Sequence, residues 1–241
     1  MKKWIYRILM VICLGVFGFS AYQLWNIFSA SQEVKNETKE YEEVVVKDNA
    51  FRPDWPALQA QNEDIIAWIY IPGCDISYPV VQGDDNDYYL DHTAQGNFNR
   101  RGAIFLDANA SRDFSDDHSI VYGHSVDVGG MFTDLAKYNE ASFFEDNLVF
   151  YIFTPQGNYQ CDVFLYSKTI DGSDVYTTSF GDFKEDVISK MKSQALYMND
   201  QEVDGPMISL STCDLDYGFN SNQRLVLTAI MHPTDASIEI E

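Results

Sequence analysis

Two apolar segments near the C-terminus flank a polar loop and place a thiol opposite a guanidinium. Residues 207–212 run directly into Cys213, and Arg224 directly precedes residues 225–231. Runs of this composition, separated by Asp, Gly, Asn and Ser, predict two strands joined by a turn. The two side chains would then share the space at the end of a hairpin, where a thiol is held rigidly and stays open to a substrate. The alternative is a thiol that only packs, because free cysteine is among the most buried residue types.

A histidine could serve this thiol as a proton carrier. His124 follows the apolar run at residues 119–122, just as Cys213 follows its own run. Imidazole shuttles protons, and a nearby imidazolium favours the thiolate, which is the nucleophilic form of cysteine. The two residues are far apart in sequence, so their proximity depends on the fold. The other histidines lie in a polar loop (His92), before a strand (His118) and after the last strand (His232).

Short β-prone runs occupy most of the chain between residues 65 and 231. About eight of them are bounded by Gly, Pro, Asp or Asn, a pattern that predicts a β-barrel or a sandwich. They cover residues 65–71, 78–82, 102–106, 119–122, 148–153, 159–167, 207–212 and 225–231. Apolar residues at helical spacing predict helices over residues 131–138 and 183–196. The sequence therefore predicts a mainly β domain with peripheral helices.

The first 28 residues differ in kind from the rest. Lys2, Lys3 and Arg7 precede an uncharged apolar run that continues, with few polar residues, to Phe28. About 20 apolar residues in a helix cross a membrane, and the basic flank stays in the cytoplasm. We therefore interpret residues 1–28 as an uncleaved transmembrane anchor that holds the rest of the chain outside the cell. A signal peptide cleaved near the small residues 29–31 is the alternative.

Two regions follow the anchor. Residues 29–52 are charged and poor in apolar side chains, which is typical of a stalk or a marginal helix. Residues 53–241 then form the globular domain. Sixteen basic and 37 acidic residues give the chain a formal net charge of −21, so nucleic acids would be repelled. The acidic loops lack the glycine and glutamate spacing of a calcium loop, and we expect solvated surface there and no metal site.

Cysteine usage leaves one pairing open. Cys13 lies in the anchor, and Cys74, Cys161 and Cys213 lie outside it. Three is an odd number, so at least one thiol is free or pairs between chains. A disulfide between Cys74 and Cys161 is possible in an oxidising exterior.

Three motifs in this order resemble those of the sortases, the membrane-anchored cysteine transpeptidases of Gram-positive bacteria. Ser209-Leu-Ser-Thr-Cys213 is similar to the family's Thr-Leu-x-Thr-Cys strand, with Ser209 in place of the usual threonine. Arg224-Leu-Val-Leu resembles the arginine-bearing strand, and Val121-Tyr-Gly-His124 resembles the histidine strand. The resemblance covers roughly residues 65–231 and is strongest to class B, on the segments 85–90, 102–107, 131–132 and the helix predicted at 183–196.

This resemblance implies a fold and an activity. The fold would be an eight-stranded sortase-type β-barrel behind an N-terminal transmembrane helix, with residues 53–241 as the catalytic domain. Cys213 would attack the carbonyl after a threonine in a C-terminal sorting signal and hold the protein as a thioester. His124 would protonate the leaving amine and later deprotonate the incoming one. Arg224 would stabilise the oxyanion or position the peptide.

The resemblance also implies partners and a peptide groove. The substrates would be surface proteins with a C-terminal sorting signal, often of Asn-Pro-x-Thr type in class B. The acceptor would be an amine of a peptidoglycan precursor or crossbridge, and no cofactor is implied. The groove would correspond to Asn86, Leu90, Tyr122, Tyr176, Ser211 and Asp214.

Two other readings use the same residues. A secreted cysteine protease would transfer the acyl group to water instead of an amine, although papain-like enzymes place the cysteine before the histidine. A membrane-tethered surface module would use Cys213 only for packing. A thiol-reactive probe separates that module from both enzymes, and an amine acceptor separates the transferase from the hydrolase.

Overall fold

The computed structural model of the chain describes residues 2–47, 50–126, 129–218 and 221–239. Four α-helices are present in these ranges: α1 Lys2–Val45, α2 Trp55–Gln61, α3 Ala141–Asp146 and α4 Lys184–Ser193. The strands are β1 Val46–Lys47, β2 Ala50–Phe51, β3 Ile65–Ile71, β4 Ile76–Val81, β5 Ile104–Leu106, β6 His118–Tyr122, β7 Val149–Thr154, β8 Gly157–Ile170, β9 Tyr197–Met198, β10 Met207–Cys213 and β11 Gln223–Thr234.

Eight of these strands form a closed barrel. The order is β11-β10-β6-β5-β4-β3-β7-β8, and pairing of β8 with β11 closes the ring. Two of the pairings are parallel, β4 with β5 and β6 with β10, and the others in the ring are antiparallel. Closure gives each of these eight strands a hydrogen-bonded neighbour on both sides. The expected eight-stranded barrel is confirmed.

Every barrel strand contributes to one apolar core. The cluster contains one or more residues of each of the eight strands, among them Ile69, Val80, Ile104, Val121, Ile152, Val163, Leu210 and Leu227. A second cluster lies beneath the end of α1, and a third lies beneath α4. Burial on both faces explains why β10 is apolar or small at almost every position, since strands covered on two sides lose the alternation of polar residues.

Helix α1 does not end with the apolar segment. It continues to Val45, and its second half packs on the barrel through Val34, Tyr41 and Val45, which are all buried. Glu37 is buried with them and accepts hydrogen bonds from Thr93 Oγ1 at 3.0 Å and Asn97 Nδ2 at 3.1 Å. Burial raises the pKa of this carboxyl above its usual value. Most of the region interpreted as a stalk or a marginal helix is thus a helix docked on the barrel, because its few apolar residues share one face.

The peripheral helices differ from prediction mainly in type and length. Residues 131–138, predicted to be helical, form a 3₁₀ helix at Thr133–Asn139. Met131 adopts a left-handed φ of 52° and donates its N–H to Tyr78 Oη at 3.1 Å, which delays the start of the helix. The helix predicted over residues 183–196 is present as α4, with its ends trimmed to Lys184–Ser193.

Candidate active site

The predicted hairpin places Cys213 directly opposite Arg224. Strands β10 and β11 pair antiparallel from Met207↔Ile230 to Cys213↔Arg224, so these two residues form the last pair of the ladder. Cys213 is half-buried and its thiol is free. At the end of a ladder, the backbone of a residue is held by the paired strand, while its side chain stays accessible to a substrate. The hairpin therefore presents thiol and guanidinium at one rim of the barrel.

The parallel pairing of β6 with β10 brings His124 to the same rim. Ser211 lies opposite Tyr122, and the Gly123 N–H donates to the Ser211 carbonyl at 3.1 Å. One residue further on, Ser125 Oγ and Thr212 Oγ1 share a hydrogen bond of 2.9 Å, with both residues buried. Parallel strands end on the same side of a sheet, so the residues that follow them meet. His124, Cys213 and Arg224 line one cleft of about 340 Å³.

Gly123 allows the chain to pass close to its neighbours just before His124. A Cβ at this position would clash with Ile104 Cδ1 and would lie 2.7 Å from Phe132 Cδ2. Any larger residue would push the turn away from the barrel and move the imidazole that follows. The glycine in the Val121-Tyr-Gly-His124 motif is therefore needed for close approach.

His124 has a defined proton on one ring nitrogen. Its Nε2 lies 2.7 Å from the carbonyl oxygen of Leu90. A carbonyl oxygen only accepts hydrogen bonds, so Nε2 carries a hydrogen and donates it to Leu90. This contact fixes the plane of the ring and joins it to the cleft wall at Leu90.

Arg224 is held by its own loop and by an acid across the cleft. Its Nη1 donates to the carbonyls of Ser221 and Gln223, each at 3.0 Å, and its Nη2 donates to Asp171 Oδ2 at 3.3 Å. Among the described residues, these contacts use three of the five N–H donors of the guanidinium. Nε–H and the second hydrogen of Nη2 remain for a ligand in the cleft.

Four of the six predicted groove residues line the cleft: Asn86, Leu90, Tyr122 and Ser211. Two of them are oriented by Asp107, whose Oδ2 accepts from Asn86 Nδ2 at 2.9 Å and from Tyr122 Oη at 3.1 Å. Asn86 Oδ1 accepts from the Ala108 N–H at 2.8 Å, which distinguishes the two ends of the amide. Burial, assisted by the Asp107 carboxylate, raises the pKa of Tyr122, so its hydroxyl stays protonated. The wall is thus a rigid polar surface.

Comparison with known proteins identifies the family to which this fold and site belong. A family model of the sortase domain matches residues 69–232. The chain belongs to the sortase family. Sortase B of Listeria monocytogenes is 30% identical over 237 residues, covering 93% of this chain and 96% of the relative.

Solved structures agree with this sortase assignment. Sortase B of Bacillus anthracis, solved in complex with AAEK1, superposes with a TM-score of 0.76 at 28% identity, over 86% of this chain and 100% of that one. The Staphylococcus aureus sortase B–substrate complex gives a TM-score of 0.71 at 27% identity, over 85% and 93% of the two chains. The protein is therefore a sortase of class B, a class of cysteine transpeptidases.

The two remaining predicted groove residues of this sortase, Tyr176 and Asp214, are not among the residues that line the cleft. Tyr176 stands next to the cleft, where its hydroxyl shares a 2.7 Å hydrogen bond with Ser211 Oγ. Burial raises the pKa of Tyr176 to about 12. Asp214 does not line the cleft, because its carboxylate accepts from the Asp216 N–H at 3.1 Å and lies 3.7 Å from Lys168 Nζ. Its place after Cys213 thus serves to cap a turn of the loop.

The thiols of Cys74 and Cys161 in this sortase are poorly suited to nucleophilic attack. Cys74 and Cys161 are both free, so the possible disulfide between them is not formed. Burial raises the pKa of the Cys74 thiol to about 12 and that of Cys161 well above its usual value. A thiol that stays protonated is a weak nucleophile.

Asp171 is a cleft residue that sequence reasoning missed. It follows β8, and its backbone N–H donates to the Asn222 carbonyl at 2.8 Å in the loop before Arg224. The residue has no motif around it, and only the pairing of β8 with β11 brings it to the cleft. Phe105 and Thr212 also line the cleft without having been predicted.

The acidic loops hold their carboxylates in local turns. Asp85 Oδ1 accepts from the N–H groups of Asp87 and Tyr88 at 2.9 and 2.8 Å, and Asp113 Oδ1 accepts from the Ser115 N–H at 3.1 Å. Within the parts of the chain that the structure describes, no group of three or more His, Cys, Asp or Glu side chains is arranged to hold a metal ion.

Proposed function

We propose that this sortase cleaves a C-terminal sorting signal after threonine through a thioester on Cys213. It then transfers the protein to an amine of a peptidoglycan precursor or crossbridge, on the outer face of the cell membrane. The observation that carries the proposal is the convergence of Cys213, His124 and Arg224 on one cleft from three different strand ends. Convergence of a thiol, an imidazole and a cation is the arrangement that acyl transfer requires.

The steps assign one task to each side chain. The Cys213 thiol passes its proton to His124 as the sulfur attacks the threonine carbonyl, and the oxyanion that forms is stabilised by the free donors of Arg224. His124 gives a proton to the departing amine as the carbon–nitrogen bond breaks, which leaves a thioester. An incoming amine attacks this thioester, His124 takes its proton, and the sulfur leaves. Fixed donors act here without reorganisation, which is why they favour the transition state over the ground state.

Thioester formation and amine capture test the proposal together. The full chain in detergent micelles is mixed with peptides that carry an Asn-Pro-x-Thr core, with position x varied. We expect intact-mass spectrometry to show an acyl adduct that maps to Cys213, and hydroxylamine or glycine amide to release it faster than water does. Cleavage that added amine neither accelerates nor captures would indicate a hydrolase. Absence of any adduct with Cys213 would contradict the thioester itself.

The N-terminal helix supports the proposed anchor. One described helix is long and apolar enough to cross a membrane, and it continues without a break past the small residues at 29–31. Asn99 Nδ2 donates to the Ala30 carbonyl at 3.1 Å, and Arg101 Nη1 donates to Ser31 Oγ at 3.3 Å. Cleavage here would cut a docked helix.

We therefore expect the mature protein to keep residues 1–28. The full chain is expressed in a Gram-positive host, extracted from the membrane fraction and sequenced from its N-terminus. A mature protein that begins after Ala30 would show that the segment is a cleaved signal peptide. A protein that begins at Met1 or Lys2 agrees with the anchor.

A further inference from the structure

His118 is a buried histidine for which the proposed chemistry has no use. It is the first residue of β6 and is fully buried. Both ring nitrogens are bonded: Nδ1 lies 2.8 Å from the Thr177 carbonyl oxygen, and Nε2 lies 2.8 Å from Ser209 Oγ. Because a carbonyl only accepts, Nδ1 must carry a hydrogen. Burial lowers the pKa of His118 to about 4, so at neutral pH the ring is neutral and Nε2 accepts from the Ser209 hydroxyl.

This contact completes a directed chain of hydrogen bonds across three strands. Ser209 and Thr228 are opposite each other on β10 and β11, and their hydroxyl oxygens lie 2.6 Å apart. Since Ser209 gives its hydrogen to His118, the Thr228 hydroxyl donates to Ser209. The donor and the acceptor of each hydrogen bond are therefore defined. This series of hydrogen bonds ends at Thr177, which lies outside the barrel strands.

Thr177 belongs to the segment between β8 and α4, residues 171–183, which borders the cleft. Asp171 pairs with Arg224 at one end of this segment, and Tyr176, next to Thr177, bonds Ser211 on the cleft wall. A second tether lies beside the first, because Asp117 Oδ2 accepts from the Phe180 N–H at 2.9 Å. The Phe180 ring packs near His118, with ring centroids 6.1 Å apart.

We propose that His118 is a positioning residue for the sorting-signal peptide. By holding the Thr177 carbonyl, it keeps Tyr176 against Ser211 and so shapes one side of the groove. The inference depends on the proposed function, in which this cleft binds the peptide. His118 acts through Thr177 and does not touch the reacting thiol. Its loss should weaken peptide binding and leave the chemical step nearly unchanged.

Two amide substitutions separate the contacts of the ring. In His118→Asn, the amide nitrogen takes the place of Nδ1 and can still donate to Thr177. In His118→Gln, the longer amide takes the place of Nε2, so it keeps Ser209 and loses Thr177. We expect His118→Gln to raise KM for an Asn-Pro-x-Thr peptide about tenfold, the equivalent of about 1.4 kcal/mol. We expect kcat to change little and His118→Asn to restore most of the loss in KM. His232→Gln, at a half-buried ion pair with Asp162, is the matched control and should behave as wild type.

Hydrogen exchange of the full chain gives a readout that needs no turnover. We expect His118→Gln to speed exchange at the amides of Tyr176, Thr177 and Phe180, with the hairpin of β10 and β11 still protected. The inference is overturned if His118→Gln leaves KM unchanged, or if both variants lose kcat together with protection across the whole barrel. A wild-type protein that cleaves none of the peptides would defeat the proposed function alone. The hydrogen-exchange rates of residues 174–180 would then decide whether His118 holds this segment in place.

Discussion

Replacement of Cys213 by alanine is expected to abolish peptide transfer with little loss of stability. Alanine removes the nucleophile but keeps the strand end, and the half-buried thiol makes only a modest packing contribution. Loss of the nucleophile in a serine protease costs on the order of 10⁶ in kcat, so we expect at least about 10³ here. Peptide cleavage and amine transfer by the full chain measure the effect, and the unfolding midpoint in denaturant measures stability.

The other thiols provide matched controls for this result. Cys74→Ala and Cys161→Ala should keep turnover per folded molecule, because burial holds both thiols in the protonated form. Cys161→Ala should lower the free energy of unfolding by roughly 1 kcal/mol, since it removes a buried atom from the core. A peptide adduct on Cys74 or Cys161, or transfer by Cys213→Ala, would overturn the assignment of the nucleophile.

Replacement of Arg224 by lysine is expected to lower kcat/KM by about 10²–10³, the usual cost of losing an oxyanion donor. Lysine keeps the charge but lacks the planar fork that holds two loop carbonyls and Asp171 at once. An ammonium with only three donors cannot satisfy these acceptors and still face the reacting carbonyl. Steady-state kinetics on a cognate peptide measure the loss. Arg112→Lys is the control, because Arg112 bonds the Glu63 carbonyl and does not line the cleft.

Asp171→Asn tests whether the acid contributes by orienting the guanidinium. The loss should be smaller than for Arg224→Lys, because the carbonyls of Ser221 and Gln223 still hold Nη1. Stability should change by about 0–1 kcal/mol, as is usual for a partly exposed ion pair.

Near-normal turnover of Arg224→Lys would show that charge alone suffices and that the geometric role given to the guanidinium fork is wrong.

The rim of the barrel explains how three distant residues can act together. Cys213 and Arg224 are joined by the last pair of an antiparallel ladder, and His124 reaches them because β6 runs parallel to β10. The Ser125–Thr212 hydrogen bond then connects the two strand ends next to the reactive side chains. Such support from buried neighbours keeps a site within the narrow limits that catalysis needs.

The strands, and the position of the three candidate catalytic residues at strand ends, could be predicted from the sequence alone. A run of β-branched and aromatic residues bounded by turn residues favours a strand through its local sequence alone. The run predicted at residues 65–71 therefore matches β3, Ile65–Ile71, and the other barrel strands differ from their predicted ranges only at the ends. Cys213, His124 and Arg224 stood out because each is a reactive side chain at the end of such a run. The two-strand hairpin also followed, since its partners are close in sequence.

Only the tertiary structure decided what meets at the cleft. Asp171 joins it through the pairing of β8 with β11, Asp214 turns away to cap a loop, and the Leu90 carbonyl fixes the ring of His124. The docking of α1 was hidden because Val34 and Tyr41, two of its buried residues, each lie between charged neighbours in the sequence. The physical reason is shared: apart from the local cap of Asp214 on Asp216, these contacts join positions far apart in the chain. Their geometry depends on the register and closure of the whole barrel, which no local pattern of residues records.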